Sequence, residues 1–121
     1  MTMVTTGNII IDKSFSYALE IIRYTEELEE NKKFVIANQL KKSGTSIGAN
    51  VHEAQNAESR ADFIHKIKIA AKEAEETEYW LLLCKYSDNY PFHEELINKL
   101  QELKRLMNSI INSAKSNAQP H

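Results

Sequence analysis

Apolar residues recur along this chain at intervals of three and four, the spacing of one face of an α-helix. The pattern occurs in four stretches and predicts helices over residues 13–30, 32–56, 59–86 and 91–113. The positions predicted to face a core are Phe15, Ala18, Leu19, Ile22, Thr25 and Leu28; Ile36, Leu40, Ile47, Val51 and Ala54; Phe63, Ile67, Ala70, Ala71, Ala74 and Leu81; and Phe92, Leu96, Leu100, Leu103, Met107 and Ile110. No stretch alternates with period two for long enough to predict a sheet.

Polar residues mark the predicted helix ends. Asp12 or Ser14 is the expected N-cap of the first helix, Asn31 is its expected end, and Ser59 is the expected cap of the third. The segment "SDNYP", residues 87–91, separates the third helix from the fourth. These short connections predict helices that alternate in direction, because each helix must fold back on the one before it.

We therefore predict an all-α protein, an antiparallel up-down-up-down four-helix bundle. The length of 121 residues is that of a single domain, here 1–121, with a polar tail over 114–121 that we expect to be disordered.

The 15 basic and 17 acidic residues give a formal charge of −2, which provides no overall attraction to nucleic acid or membrane. Cys84 is the only cysteine and cannot form an internal disulfide, which is typical of a reduced, cytoplasmic setting.

The chain has no apolar run near the roughly 20 residues that a membrane span requires, and its start lacks the pattern of a signal peptide. The sequence also lacks the common catalytic and metal-binding motifs. The segments "HEEL" and "HEAQN" do not complete HExxH, and no helix has the ExxH pair of a di-iron bundle. Ser43 and Ser46 have no histidine in register to activate them. We expect a protein without enzymatic activity, cofactor, metal or small-molecule substrate.

Two of the three glycines lie in "KKSGTSIGANVHEAQN", residues 41–56. Each glycine costs about 1 kcal/mol relative to alanine in a helix interior, so Gly44 and Gly48 indicate a close backbone approach that a side chain would prevent. A phosphate-binding loop would require lysine after the glycines and a preceding strand, and neither is present. An unbroken helix is the favoured interpretation, and a break at Gly44 or a ligand loop is the alternative.

A polar heptad runs beside the apolar stripe of this second helix, and heptad spacing keeps one face against a partner over several turns. Together with the glycines it forms a predicted assembly face: Gln39, Ser43, Gly44, Ser46, Gly48, Asn50 and Glu53. As a hypothesis, Glu53 pairs with Arg60 across the turn, or with Arg60 of a neighbouring chain.

The third helix has its cations in the first half and its carboxylates in the second, against the helix dipole. Groups outside the third helix should therefore compensate this unfavourable charge order, and three interpretations are open. Exposed ion pairs could join residues 73–78 to four lysines of the second helix region, Lys32, Lys33, Lys41 and Lys42. A basic surface could instead bind RNA phosphates through His52, Arg60, His65, Lys66, Lys68 and Lys72. The third reading is a contact between subunits.

Two signatures in this chain resemble one known family. "QLKKSGTSIGANVHEA" is followed by "DFIHKIKIAAKEAEETEYWLLL", and "DKSFSYALEI" is similar to the family's start. The pattern falls on Ser43, Ser46, Ile47, Ala49, Asn50, Glu53 and Ala54, and on Lys72, Glu73, Ala74, Glu76, Thr77, Tyr79, Trp80 and Leu81. Over residues 10–112 the chain resembles the four-helix bundle proteins, also called 23S rRNA-intervening-sequence proteins.

This resemblance implies a bundle that assembles as a ring-shaped homopentamer, in a family whose biochemical role is not established. A related accessory protein of diversity-generating retroelements forms a similar pentamer and binds RNA and a reverse transcriptase. The resemblance therefore favours a scaffold or binding module whose partners are other copies of itself and RNA or an RNA-handling protein. The alternative is an oligomeric scaffold that binds only protein.

Overall fold

The computed structural model of the protein describes residues 6–118. It contains four helices, α1 (Ile9–Glu30), α2 (Phe34–Ala54), α3 (Arg60–Tyr86) and α4 (Glu94–Ala118), and these described residues include no strand. Helix α1 packs on α2 and α4, and α3 packs on the same two helices. The four helices thus enclose one continuous apolar core. The predicted all-α class and the four predicted helices are confirmed.

The helix starts follow from local capping. Ser59 caps α3 as predicted, because its hydroxyl accepts a hydrogen bond from the backbone N–H of Asp62 at 3.0 Å. The predicted cap of α1 is wrong: Asn8 caps it instead, accepting from the N–H of Ile11, so α1 begins four residues before the predicted position 13. Asp12 lies in the first turn, where its carboxylate accepts hydrogen bonds from Thr6 that lower its pKa.

Two further boundaries bear on the sequence predictions. Helix α2 is unbroken through Gly44 and Gly48, which confirms the favoured interpretation of that stretch and excludes a break there. Helix α4 continues to Ala118, beyond its predicted end at residue 113, and residues 119–121 lie outside the described part of the chain. Ala114, in this last stretch, is half-buried.

The core face of α1 differs from the predicted one. Phe15 and Ile22 face solvent, and the buried positions are Ile10, Ser14, Tyr17, Ile21, Tyr24, Thr25 and Leu28. Only Thr25 and Leu28 of the predicted stripe are buried. The helix carries two neighbouring apolar stripes, and the one that contains two tyrosines is turned inward.

The two tyrosines reach across the core to the start of α4. The Tyr17 hydroxyl donates a 2.7 Å hydrogen bond to the carbonyl oxygen of Leu96, and the Tyr24 hydroxyl donates one of the same length to the carbonyl oxygen of Pro91. Burial raises the pKa of both hydroxyls above the ordinary range, so both remain neutral donors. These bonds offset the desolvation of the two hydroxyls and fix where α4 begins against α1.

The predicted core positions of the other helices are largely confirmed. Fully or almost fully buried are Leu40, Ile47, Val51 and Ala54; Ile67, Ala70, Ala74 and Leu81; and Leu96, Leu100, Leu103 and Met107. The core also contains Thr77 and Cys84, which the apolar pattern missed. Burial raises the pKa of the Cys84 thiol, which favours its protonated form.

Candidate assembly surfaces

The two helical glycines lie at the contact between α2 and α1 of the same chain. A Cβ atom at Gly44 would lie 2.7 Å from Cγ2 of Ile21, and one at Gly48 would lie 3.2 Å from the backbone oxygen of Ser14. The glycines therefore allow α1 to approach the backbone of α2. This is the close approach that the sequence predicts, and it is made within one chain.

The residues of the predicted assembly face do not share one surface. Ser43 is fully buried, and its Oγ lies 2.9 Å from Oγ1 of Thr77 on α3. Ser46 and Asn50 are half-buried, and each side chain donates to the carbonyl four residues earlier, at Lys42 and Ser46. Gln39 and Glu53 are exposed. Ser43 and Gly44 are enclosed inside the bundle, so only the other five residues of this face leave surface for a second chain.

An apolar surface that the sequence analysis missed lies at the end of α3. Tyr79, Leu82, Leu83 and Tyr86 occupy its outer face and are 38–78% exposed; we call them the α3 apolar stripe. Phe34 and Val35, at the start of α2, are also exposed. The signal was present in the sequence, because three consecutive leucines at about 100° per residue cannot all face one core.

A second partly exposed apolar surface runs along α1. It consists of Ile11, Phe15, Ala18, Leu19 and Ile22, and we call these the α1 apolar stripe. Phe15 is 56% exposed and Ile22 is 36% exposed, while the other three are half-buried. Side chains of this size are ordinarily covered when they recur on one helical face, so both stripes are candidate interaction surfaces.

The candidate nucleic-acid-binding residues separate into two groups. Lys66 lies 3.5 Å from the Glu53 carboxylate, which replaces the hypothesised Glu53–Arg60 pair across the turn. The other five, His52, Arg60, His65, Lys68 and Lys72, are exposed and have no carboxylate within ion-pair distance in the described residues. Lys115 at the end of α4 lies beside Lys68 and lowers its pKa.

The carboxylates of α3 find their partners on α4. Lys104 lies 2.8 Å from Glu75 and 3.3 Å from Glu78, and Gln101 also donates to Glu78. Partial burial lowers the pKa of Lys104, but the two carboxylates outweigh it and raise the pKa overall. The predicted ion pairs between four lysines near the second helix and residues 73–78 do not form in the described chain, where Lys41 pairs with Glu29 instead. Lys42 does lie near Glu73, because its charge lowers the pKa of that carboxyl against a larger, opposite effect of burial.

Two shallow, open grooves lie on the described part of the protein. A groove of about 650 Å³ at one end of the bundle is lined by Arg60, Phe63, Ser109, Ile110, Ser113 and Ala114. A smaller one of about 200 Å³ lies beside His93, whose Nε2 is 2.6 Å from the Glu27 carboxylate.

Over residues 6–118, no three histidine, cysteine, aspartate or glutamate side chains are grouped to hold a metal ion. None of the helices in that range is both long and apolar enough to cross a membrane.

Comparison with known proteins shows which family this chain resembles in sequence and structure. Residues 7–109 match the family model described as 23S rRNA-intervening sequence protein. The chain belongs to this family. A crystal structure from Bacteroides thetaiotaomicron, of a protein with unknown function from the S23 ribosomal protein family, is 47% identical in sequence with a TM-score of 0.77. The similarity covers 84% of this chain and 97% of that one. No curated protein matches the sequence.

Proposed function

We propose that this member of the 23S rRNA-intervening sequence family is a non-enzymatic scaffold that assembles with copies of itself. The α3 apolar stripe is the single observation that supports this most strongly. Its two leucines and two tyrosines follow one another on the outer face of one helix and are 38–78% exposed in the described part of the chain. Monomeric proteins rarely leave such a run exposed, because covering it with a partner removes apolar surface from water.

The proposal uses an antiparallel up-down-up-down arrangement of the helices. Ser43 and Glu53 of α2 contact Thr77 and Lys66 of α3, so position increases along one helix as it decreases along the other. The same reversal relates α1 to α4, where Lys13 contacts Glu102 and Glu20 contacts Lys99. This arrangement places the start of α2 beside the end of α3, where Phe34 and Val35 extend the exposed apolar area.

The oligomer we propose is a ring, and the family resemblance makes five the expected number of copies. A ring needs two different contact surfaces on each copy, and the chain offers an apolar stripe on α1 and another on α3. We propose the cytoplasm as its location, because the lone Cys84 is a buried free thiol.

Light scattering coupled to size exclusion tests the assembly. We expect wild type to elute as an oligomer and Leu83→Glu to elute as smaller species at the same concentration, because a carboxylate in the contact would be desolvated without a partner. Ile9→Glu is the matched control, since Ile9 is 60% exposed and lies outside both stripes. A monomeric wild type, or equal loss of assembly in the control, would reject the proposal.

RNA binding is the second function that we propose for the scaffold. It is supported by the family, and by the exposed cations Arg60, His65, Lys68 and Lys72, to which the structure adds Lys115. Exposed cations without carboxylate partners are free to neutralise phosphates, and each such contact makes binding depend on salt. The alternative is a scaffold with protein partners only.

Filter binding to a structured RNA over a salt series separates the two. We expect Arg60→Glu to weaken binding several-fold and to reduce its salt dependence, since one phosphate contact is lost. Lys32→Glu makes the same charge change at the opposite end of the bundle and should have little effect. Equal affinities of wild type, Arg60→Glu and Lys32→Glu would favour the protein-only scaffold.

A further inference from the structure

The proposed antiparallel arrangement of the helices gives the bundle two ends of different composition. At one end the α2–α3 turn lies beside the start of α1 and the end of α4. Two ion pairs join helices within this end, Lys13 to Glu102 and Lys66 to Glu53. We call it the basic end, and it comprises residues 6–19, 45–72 and 101–118.

Charge is divided unequally between the two ends. The basic end contains eight basic and five acidic residues, which gives it a formal charge of +3 with histidine neutral. The opposite end, residues 20–44 and 73–100, contains seven basic and twelve acidic residues, which gives it a formal charge of −5. The charge of −2 on the whole chain therefore conceals one end that attracts RNA phosphates and one that repels them.

Five of the eight cations at the basic end have no carboxylate partner. Lys13, Lys66 and Lys104 are in ion pairs. The other five are exposed, and none has a carboxylate within ion-pair distance in the described chain: Arg60, Lys68, Lys72, Arg105 and Lys115. Lys115 lies against Lys68, so two like charges are in contact. A phosphate group that contacts both lysines would relieve their repulsion.

The carboxylates at the same end compete little for these cations. Two of the five are in the ion pairs with Lys13 and Lys66. Asp12 and Asp62 accept hydrogen bonds from backbone N–H groups near the starts of α1 and α3. Glu58, the fifth, lies in the connection between α2 and α3. Phosphates would therefore meet more free cations than free carboxylates at the basic end.

We propose that the ring binds a single-stranded RNA segment along one rim, where one RNA chain contacts the basic ends of several copies. This rests on both parts of the proposed function, self-assembly and RNA binding, and adds where the RNA lies and that it engages more than one copy. Rotation about one axis keeps equivalent residues of all copies at one height along that axis. The basic ends therefore lie on one circle and the acidic ends on another. A single strand can follow such a circle, whereas a duplex resists the bending.

Contact with several copies changes how the affinity depends on salt. Each phosphate contact of a single strand contributes about 0.7 to the slope of log affinity against log salt concentration. A substitution is present in every copy, so Lys68→Ala removes one contact for each copy that the RNA engages. We expect Lys68→Ala to reduce this slope by about 0.7 on a short RNA that reaches one copy, and by about 1.4 or more on a long RNA.

Fluorescence anisotropy with labelled oligouridylates of about 6 and about 60 nucleotides gives both slopes, the shorter being within the range of a single-module site. With one ring per RNA, wild type should bind the long RNA about tenfold or more tightly per nucleotide, because the linked sites share one ligand. Leu83→Glu, which should not assemble, should bind both lengths equally per nucleotide. Tyr86→Glu, at a position of the α3 apolar stripe that is 78% exposed, repeats this test if circular dichroism shows Leu83→Glu to be unfolded.

Lys42→Ala is the matched control for Lys68→Ala. Lys42 is exposed, helical and in no ion pair in the described chain, but it lies at the acidic end. Its substitution removes the same charge and should leave both slopes unchanged. An equal change of slope in Lys42→Ala would overturn the inference, because the RNA contact would not be confined to one rim.

The remaining outcomes separate this inference from the proposed function. A monomeric wild type would reject self-assembly, and the shared rim with it. An oligomeric wild type that binds neither RNA would reject RNA binding itself. If the oligomer binds both lengths equally per nucleotide, or Lys68→Ala reduces both slopes by the same amount, the RNA contacts a single copy. The inference alone is then wrong, while self-assembly and RNA binding stand.

Discussion

Leu81→Ala should lower the free energy of unfolding by about 2–5 kcal/mol, the range for truncating a large aliphatic side chain in a closely packed core. Leu81 is fully buried, whereas its neighbours Leu82 and Leu83 are 39% and 38% exposed. Leu82→Ala and Leu83→Ala should therefore cost less than about 1 kcal/mol. Urea unfolding provides the measurement, with all chains held at one protein concentration in a common assembly state, because association itself adds apparent stability.

Comparing the alanine variants of the three leucines distinguishes effects on folding from effects on assembly. Leu81→Ala should destabilise the fold, and Leu82→Ala and Leu83→Ala should weaken association while the isolated bundle keeps its stability. A cost at Leu83 equal to that at Leu81 would contradict the placement of the α3 apolar stripe on the outer face.

Gly44→Ala should destabilise the bundle although alanine is the better helix former. The new methyl would lie 2.7 Å and 2.9 Å from two carbons of Ile21, a fully buried and β-branched side chain with little freedom to move. Overpacking costs about 1–3 kcal/mol, and a 2.7 Å contact with a rigid side chain places this site in the upper part of that range, above the gain of about 1 kcal/mol in helix propensity. The expected net loss is about 1–2 kcal/mol by thermal or urea unfolding.

Two controls make this prediction specific. At Gly48 the nearest atom to an added methyl is 3.2 Å away, so Gly48→Ala should leave stability within about 1 kcal/mol of wild type. Ile21→Ala removes the two nearest carbons, and in that background Gly44→Ala should become less costly, since its methyl enters the vacated space. Strict additivity of the two substitutions would show that Ile21 is not the obstacle.

The sequence predicts the helices well because the period of three and four persists over several turns in each of them. It also predicts the close approach at Gly44, since a glycine pair in a helix interior has a cost that packing must offset. Its error in α1 has a physical cause. Two apolar stripes lie side by side on that helix, and only the arrangement of the other helices decides which one is enclosed.

The candidate surfaces were harder to predict than the fold. The segment containing Leu82 and Leu83 resembles a core in composition, and its exposure depends on how α3 is rotated against α2 and α4. The partner of Glu75 and Glu78 was missed because Lys104 is distant in sequence and reaches them only when α4 folds alongside α3. Long-range ion pairs of this kind leave no periodic signal in one sequence.

The two buried tyrosines settle which way α1 is rolled about its long axis. A turn of roughly a third of a revolution would put the α1 apolar stripe inside and Tyr17 and Tyr24 outside. It would, however, break the hydroxyl bonds to the carbonyl oxygens of Leu96 in α4 and of Pro91 just before α4. The two phenolic hydroxyls thus fix the rotation of a helix that has two apolar faces, and they keep the α1 apolar stripe exposed in the single chain.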